Sequence, residues 1–180
     1  MDIITLKNNI CNIKNLSAGS ETVLEEFQNN KDTELKKLKI TDIPADGFLF
    51  KTDKIRFDNL FKGTKSDFIK NFNKHSDFVI ILNDKIVLVE LKSTSFNDED
   101  CKFKFYSDLC VFDYVDSIIK RMCEKNEFFG RLTKHFVVFY LDPIPKTTST
   151  LSPLPTNTDP ESFRRIGVQN DSEIPFGMLV

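Results

Sequence analysis

The sequence is poor in the residues from which several common kinds of site are built. Its 180 residues include no tryptophan, only two histidines and only four cysteines. The cysteines, at positions 11, 101, 110 and 123, show no Cys-x-x-Cys spacing, which argues against a structural zinc site. No basic segment followed by an apolar stretch opens the chain, and no apolar run approaches the roughly 18 residues of a membrane span. We therefore expect a cytoplasmic protein with free thiols that does not enter a membrane.

The overall charge is nearly balanced. Twenty-five Lys and Arg against 27 Asp and Glu give a formal net charge of −2, which excludes a strongly basic protein that coats nucleic acid. Hydrophobic residues make up 40% of the chain, which is enough for a sizeable core. We expect a single domain over residues 1–180, in which 143–160 form a loop or linker and 161–180 form a C-terminal edge element.

The most informative segment is "HSDFVIILNDKIVLVELKST", residues 75–94. Ten of the fourteen positions from Phe78 to Leu91 are Val, Ile, Leu or Phe, which predicts a buried β-hairpin. Asn83 and Asp84 are typical turn residues, and a turn centred on them pairs residues whose numbers add up to 167. A three-residue loop would shift this register by one and move the carboxylates of Asp77 and Glu90 onto opposite faces.

In the 167 register, three charged residues meet at the open end of the hairpin. Asp77 faces Glu90, and Lys92 points to the same side as both. Two carboxylates that face each other repel, so they need a cation or a large pKa shift to hold them together. Magnesium suits such a pair, because it takes one or two carboxylates together with water and phosphate oxygens. The alternative is that these are ordinary strand ends, with Glu90 paired to a nearby lysine.

Asp77 followed by Glu90-Leu91-Lys92 after a hairpin resembles the active-site signature of the PD-(D/E)xK nuclease superfamily, the restriction-endonuclease-like nucleases. The resemblance implies that Asp77 and Glu90 bind Mg²⁺, for which Mn²⁺ can substitute, with the Leu91 carbonyl as a further ligand. It implies that Lys92 positions or activates the attacking water. Ser76 stands where the name-giving proline of the family would be.

A first helix is predicted over "SETVLEEFQNN", residues 20–30. Ser20 is a suitable N-cap, and Val23, Leu24 and Phe27 lie on one helical stripe. Nucleases of this family often carry a glutamate from the first helix into the metal site. The resemblance therefore makes Glu26 a candidate catalytic residue, although a solvated helix face is the simpler explanation.

The second half of the chain predicts a helix between two strands. Apolar residues recur at helical spacing through "YSDLCVFDYVDSIIKRMCEK", and "KHFVVFYLD" is a buried strand before Pro143. A helix that joins two such strands implies parallel pairing. We expect an α/β fold with a central mixed β-sheet flanked by helices, as in a restriction-endonuclease-like core, and an edge strand near residues 163–168.

Several basic and aromatic residues are candidates for contacting nucleic acid. Residues 31–74 contain eleven Lys or Arg and seven Asp or Glu, an excess that could face a phosphate backbone. Ordinary solvated side chains are the alternative for these residues and for the basic residues of the later helix. The further candidates are two tyrosines and six basic residues: Tyr106, Tyr114, Lys102, Lys104, Lys120, Arg121, Arg164 and Arg165. Packing in the core or at its rim is the alternative for the tyrosines, and Arg164 and Arg165 are alternatively edge-strand charges that discourage aggregation.

The two histidines are interpreted differently. His75 lies two residues before Asp77, where it could act as a proton shuttle, and a loop histidine without a role is the alternative. His135 begins a core strand and is expected to cap or pack there.

The function implied by the resemblance is a Mg²⁺-dependent endonuclease that hydrolyses phosphodiester bonds, with DNA expected more than RNA. A homodimer, or a larger assembly that acts in antiviral defence against phage or mobile elements, would suit a small nuclease of this kind. The alternative is a noncatalytic, nuclease-fold accessory subunit that binds nucleic acid or a protein partner. A third interpretation is an unrelated α/β domain in which the charged residues match by chance.

Overall fold

Short runs of alternating apolar residues form strands through most of the described chain. The computed structural model describes residues 14–25, 35–52, 74–93, 95–122, 124, 126–142 and 156–180. The strands in these ranges are β1 (Lys14–Leu16), β2 (Thr22–Glu25), β3 (Lys37–Thr41), β4 (Gly47–Lys51), β5 (Phe78–Ile81), β6 (Lys85–Lys92), β7 (Thr133–Leu141), β8 (Arg164–Val168) and β9 (Ser172–Pro175). Their α-helix is α1 (Asp98–Met122), and short 3-10 turns occur at Phe129–Arg131, Pro160–Ser162 and Phe176–Met178.

Six strands form a mixed sheet in the order β1-β4-β5-β6-β7-β8. In this sheet β4 pairs antiparallel with β1 and with β5, and β5 pairs antiparallel with β6. The pairs β6–β7 and β7–β8 are parallel. The six residues of β6 between its ends are all buried, as expected for a central strand that is covered on both faces. The protein is thus an α/β fold with a mixed sheet, in which an antiparallel hairpin is extended by a parallel strand.

Helix α1 connects β6 to β7 and covers one face of this sheet. The side chain of Asn97 accepts a hydrogen bond from the N–H of Glu99 at 2.9 Å, and acids occupy the first turn. Both features stabilise a helix N-terminus, where N–H groups lack partners and the dipole is positive. The core beneath α1 joins buried residues of the helix to those of the sheet, among them Cys101, Phe105, Phe112, Ile119, Val79, Ile81, Leu88, Phe136 and Val138.

A second, three-stranded sheet in the order β2-β3-β9 covers the opposite face. Its residues share a core with the other side of the large sheet, including Leu24, Leu38, Ile40, Ile174, Val87, Val89, Val137 and Phe139. In the described part of the chain, one face of the large sheet therefore carries α1 and the other carries strands, so the expected mixed sheet is confirmed and the expected flanking by helices is confirmed for one face. Strands cover this face because β3 pairs with both β2 and the distant β9, which builds the second sheet.

The predicted first helix is wrong where the structure describes it. Thr22–Glu25 forms β2, in which Thr22 and Leu24 are buried and Val23 and Glu25 are only partly buried. This is the two-residue period of a strand, and β-branched Thr22 and Val23 favour it. Ser20 does not cap a helix, because its hydroxyl donates to the carbonyl of Ser17 at 2.6 Å. The remainder of the predicted helix, including Glu26, lies outside the described residues.

The other predicted elements are confirmed with shifted ends. The helix begins at Asp98, earlier than its apolar periodicity indicates, and "KHFVVFYLD" lies in β7, parallel to β6. The predicted edge strand is β8, at one end of the large sheet. Of the predicted loop at 143–160, only residues 156–160 are described, and they run as irregular chain into a 3-10 turn. Over the described ranges, no helix combines the length and the apolar character needed to cross a membrane.

Candidate active site

The hairpin has the register that brings the charged residues together. Phe78 pairs with Val89 and Ile81 pairs with Ile86, so paired numbers add up to 167 as predicted. The N–H of Leu82 donates to the carbonyl of Lys85 at 2.9 Å and closes the turn. At the open end, the N–H of Asp77 donates to the carbonyl of Val89 at 3.0 Å, which continues the ladder to the charged residues.

The alternation of side chains decides which face these charges occupy. Phe78, Ile80, Val87, Val89 and Leu91 pack on the side of the three-stranded sheet. The intervening residues of both strands therefore point toward α1. Asp77, Glu90 and Lys92 belong to this second set, so the charged end of the hairpin lies beneath the N-terminal half of the helix.

Glu90 is the most deeply buried member of the group. Its side chain is 1% exposed, and Oε1 lies 2.8 Å from Nζ of Lys92. The same Oε1 accepts a hydrogen bond from Nζ of Lys104, which reaches it from α1. The other oxygen, Oε2, is buried and has no hydrogen-bond partner within the described protein. A buried carboxylate oxygen without a partner is costly, so this atom is a candidate ligand for a cation.

Asp77 is held by the strand opposite. Its Oδ2 accepts a hydrogen bond from the N–H of Leu91 at 2.6 Å, and its side chain is 13% exposed. Its Oδ1 lies 3.9 Å from Nζ of Lys104, the ammonium that also contacts Glu90. Lys104 therefore places one positive charge between the two predicted metal ligands.

Two further residues extend the network to a surface of the protein. Nζ of Lys92 lies 3.2 Å from Oδ2 of Asp100 in the first turn of α1, and Nζ of Lys74 lies 2.7 Å from Oδ1 of the same residue. We call the six residues Lys74, Asp77, Glu90, Lys92, Asp100 and Lys104 the charged cluster. Three ammonium groups in it balance three carboxylates.

Two lysines of the charged cluster, Lys92 and Lys104, have raised pKa values. Burial lowers the pKa of Lys92, but the charge of Glu90 and its hydrogen bond outweigh burial, so the net pKa is raised. Lys104 shows the same balance, with Asp77 adding to the effect of Glu90, and its pKa is also raised. Burial raises the pKa of the neighbouring Cys101 thiol to about 12, so this cysteine is not a thiolate nucleophile.

A buried network supports the segment that precedes Asp77. Nδ1 of His75 lies 2.8 Å from Oδ1 of Asp108, a residue of α1. The N–H and the hydroxyl of Ser76 donate to Oδ2 of Asp108 at 3.0 and 2.5 Å. Burial raises the pKa of Asp108, and the hydrogen bonds from His75 and Ser76 oppose that rise. The hydroxyl of Thr52, at the end of β4, also donates to the carbonyl of Ser76. Asp77, which directly precedes β5, therefore follows a segment that is fixed on two sides.

The donor set of the charged cluster fits a hard divalent cation. Asp77 and Glu90 provide carboxylates from adjacent strands, and Oε2 of Glu90 is buried without a protein partner. The described residues contain no group of three or more His, Cys, Asp or Glu that could enclose a metal ion. Mg²⁺ does not require such a cage, because it commonly keeps several waters and binds one or two carboxylates. The Leu91 carbonyl stays a prediction as a metal ligand, since the recorded hydrogen bond between Leu91 and the charged cluster runs from its N–H to Asp77.

Most of the other sequence candidates have ordinary structural partners. Tyr106 and Lys102 contact Glu161, and Lys120 contacts Glu127. Tyr114 and Arg121 are exposed on α1. The ring of His135 contacts the side chain of Asn157. Arg164 donates hydrogen bonds to the carbonyls of Met178 and Val180, and Arg165 donates to the carboxylate of Asp98. Most of the Lys-rich segment 31–74 lies outside the described residues.

Sequence reasoning missed Asp100, Asp108 and Lys74. Asp108 carries a detectable signal, because it lies with Cys101, Phe105 and Phe112 on the apolar stripe of α1, where a carboxylate is expensive unless it is paired. In the sequence, Asp100 cannot be distinguished from an ordinary acid in the first turn of a helix. The sequence predicts Lys104 as a candidate for contacting nucleic acid, but its contacts with Glu90 and Asp77 place it inside the charged cluster.

Comparisons of the chain with protein-family models, with curated proteins and with solved structures give no match.

Proposed function

We propose that this protein is a metal-dependent nuclease that hydrolyses phosphodiester bonds in nucleic acid, with DNA as the preferred substrate. We also propose that the mixed sheet and α1 form a restriction-endonuclease-like core. The observation that carries the proposal is the convergence of Asp77 and Glu90 on one face of a hairpin, with the Lys92 ammonium 2.8 Å from Glu90. In a structural ion-pair network, each carboxylate oxygen would be expected to have its own partner, whereas Oε2 of Glu90 has none within the described protein.

In this proposal, the carboxylates of Asp77 and Glu90 would hold Mg²⁺. When bound, the ion would supply a Lewis acid for a phosphoryl oxygen and a water of lowered pKa. Glu90 is buried beneath α1 and Asp77 is fixed by the Leu91 N–H, so little reorganisation is needed to present both carboxylates. The Lys92 ammonium lies beside them, where it can orient the attacking water or stabilise the negative charge that develops on phosphate.

The charge balance of the cluster favours an anionic substrate only after a divalent cation binds. Its three carboxylates and three ammonium groups cancel, and a bound Mg²⁺ would give the site a net charge of about +2. A polyanion such as DNA would then be attracted to the site in a salt-dependent manner. Homodimer formation and a place in an antiviral defence assembly remain parts of the proposal that depend on the family resemblance alone.

The second candidate is a noncatalytic accessory subunit that binds nucleic acid or a protein. One observation favours it, namely that Lys104 already places a positive charge between the two carboxylates. A site that has lost its metal can be stabilised by a lysine in this way, because the ammonium removes the repulsion between the acids. The presence of Asp77, Glu90 and Lys92 together argues for the nuclease.

Cleavage assays test the proposal. Purified protein would be incubated with supercoiled plasmid, circular single-stranded DNA and a structured RNA, with Mg²⁺, Mn²⁺ or EDTA. We expect metal-dependent cutting by wild type, none by Lys92→Ala, and unchanged cutting by Lys102→Ala, whose partners Glu99 and Glu161 lie outside the charged cluster. Cutting that survives EDTA or Lys92→Ala would contradict the mechanism.

Calorimetry with Mn²⁺ separates the roles of the three residues. Asp77→Asn and Glu90→Gln should abolish both Mn²⁺ binding and cleavage, whereas Lys92→Ala should retain binding and lose turnover. DNA binding without cleavage or Mn²⁺ binding would support the accessory subunit instead. Failure to bind either DNA or Mn²⁺ would indicate that the charged cluster is an ordinary ion-pair network.

A further inference from the structure

Lys104 links α1 to both predicted metal ligands. Its Nζ donates to Oε1 of Glu90 and lies 3.9 Å from Oδ1 of Asp77. The side chain is 18% exposed, so the ammonium is largely removed from solvent. Since the helix begins at Asp98, Lys104 lies in its second turn, at the end of the helix that covers the charged cluster.

The other two lysines of the charged cluster have different contacts. Lys92 touches Oε1 of Glu90 and Oδ2 of Asp100, and the recorded partner of Lys74 is Oδ1 of Asp100. Lys104 is therefore the member of the cluster whose ammonium contacts both Glu90 and Asp77. Two carboxylates on facing strands need a positive charge nearby, and the ammonium of Lys104 supplies it.

A divalent cation held by Asp77 and Glu90 would need the same region of space. The ammonium carries a single charge and would lie within contact distance of the ion, where like charges repel strongly in a partly buried site. The Lys104 ammonium and the divalent cation therefore cannot occupy the position between the two carboxylates at the same time. The four-carbon stem of lysine is flexible, so the ammonium can leave without any movement of α1.

We propose that Lys104 is an internal competitor of the metal: its ammonium occupies the position between Asp77 and Glu90 in the metal-free protein and must be displaced for a divalent cation to bind. This inference rests on the proposed function and adds a means of regulation to it. The lysine-held state places an ammonium beside both acids. It reduces the apparent affinity for metal in proportion to the fraction of molecules in which the carboxylates are accessible.

Metal affinity in matched variants tests the competition. Mn²⁺ binding to the full chain would be measured by calorimetry for wild type, Lys104→Met and Lys74→Met. Lys74→Met removes the same charge from the same cluster without touching Asp77 or Glu90, so it controls for the general effect of charge. We expect Lys104→Met to bind Mn²⁺ at least about tenfold more tightly than wild type, as for a site that is accessible one tenth of the time, and Lys74→Met to change affinity only slightly.

A second measurement uses the wild-type chain, so it holds even if Lys104→Met fails to fold. An amine that is held as an ammonium between carboxylates reacts slowly with an acylating reagent. Peptide mass spectrometry would follow acetylation of Lys104 by N-hydroxysuccinimidyl acetate with and without Mn²⁺. We expect Mn²⁺ to increase labelling of Lys104 several-fold and to leave Lys102, which contacts Glu99 and Glu161, unchanged. The increase should be absent in Asp77→Asn.

The outcomes separate this inference from the proposed function. Equal Mn²⁺ affinity in wild type and Lys104→Met, with binding abolished by Asp77→Asn, would overturn the competition and leave the metal site in place. Unchanged or reduced labelling of Lys104 in Mn²⁺-loaded wild type would overturn it as well. Absence of Mn²⁺ binding in both proteins would overturn the metal site itself, and the inference with it.

Discussion

Nζ of Lys92 lies 2.8 Å from Oε1 of Glu90, and this ion pair is largely buried beneath α1. Loss of one partner from a buried pair leaves an uncompensated charge, which is more costly than loss of the whole pair. We expect Glu90→Gln, measured in EDTA by urea denaturation, to reduce the free energy of unfolding by about 3 kcal/mol. The change leaves both Lys92 and Lys104 without the carboxylate that they share.

A double-mutant cycle gives the control for Glu90→Gln. The double variant Glu90→Gln with Lys104→Met should lose less stability than the sum of the losses in the two single variants. In the double variant, the Lys104 ammonium that Glu90→Gln would deprive of its carboxylate is itself absent. Glu99→Gln on the exposed surface of α1 should change stability by less than about 0.5 kcal/mol. Strict additivity in the cycle would show that Lys104 and Glu90 are not coupled.

Asp108 should affect metal binding although it does not belong to the charged cluster. Its carboxylate accepts hydrogen bonds from His75 and Ser76, the two residues before Asp77. We expect Asp108→Asn to lower the free energy of unfolding by about 2–3 kcal/mol, because a charged acceptor is lost from a buried network. Mn²⁺ affinity, measured by calorimetry, should fall about tenfold, as is usual when a residue that orients a metal ligand is changed.

Asp113→Asn is the matched control for Asp108→Asn, since Asp113 lies on the same helix with an exposed side chain. It should leave both stability and Mn²⁺ affinity near the wild-type values. If Asp108→Asn lowers stability but leaves Mn²⁺ affinity unchanged, the network fixes the fold without positioning Asp77.

The hairpin and its register could be predicted from the sequence because short-range physics determines them. The Asn83-Asp84 turn sets the pairing, and the two-residue period then places Asp77, Glu90 and Lys92 on one face. The same holds for α1 and β7, which have strong helical and strand patterns. In each case, the information lies within about 25 residues of the chain.

Long-range pairing explains what sequence reasoning did not predict. Thr22–Glu25 has both a helical stripe and β-branched residues, and the outcome depends on pairing with β3, which in turn pairs with the distant β9. The position of Lys104 between two carboxylates depends on how α1 packs against the sheet. A single lysine on an amphipathic helix carries no signal that distinguishes that position from a solvated one.

Asp116 should stabilise the chain that follows α1 without affecting the metal site. Its Oδ1 accepts from the N–H groups of Phe128 and Phe129 at 2.8 and 3.0 Å, and its Oδ2 accepts from Gly130 at 2.6 Å. We expect Asp116→Ala to lower the free energy of unfolding by about 2–4 kcal/mol, because buried N–H groups lose a charged acceptor. Chemical denaturation would measure this loss, and Mn²⁺ affinity should stay unchanged. A fall in Mn²⁺ affinity would mean that the two ends of α1 are coupled.

His135 should make the protein less stable as the pH falls. Nδ1 of His135 lies 3.1 Å from Oδ1 of Asn157, whose Nδ2 donates to the carbonyl of Leu179 at 2.7 Å. The Asn157 oxygen must therefore accept, so Nδ1 of the imidazole carries the proton. Burial lowers the pKa of His135 from its ordinary value of 6.5, and the hydrogen bond to Asn157 only partly opposes it.

The unfolded chain takes up a proton at His135 as the pH falls through about 6.5, whereas the folded protein does so only at lower pH. The unfolded state then binds more protons, so stability is complete above pH 6.5 and declines as the pH falls toward the lowered pKa of the folded state. His135→Asn should lose less stability than wild type between pH 7 and pH 5, as measured by urea denaturation. His75 is present in both proteins, so its contribution cancels in the comparison. Parallel stability curves for the two proteins would show that His135 is protonated equally in the folded and unfolded states, which the buried, neutral imidazole does not allow.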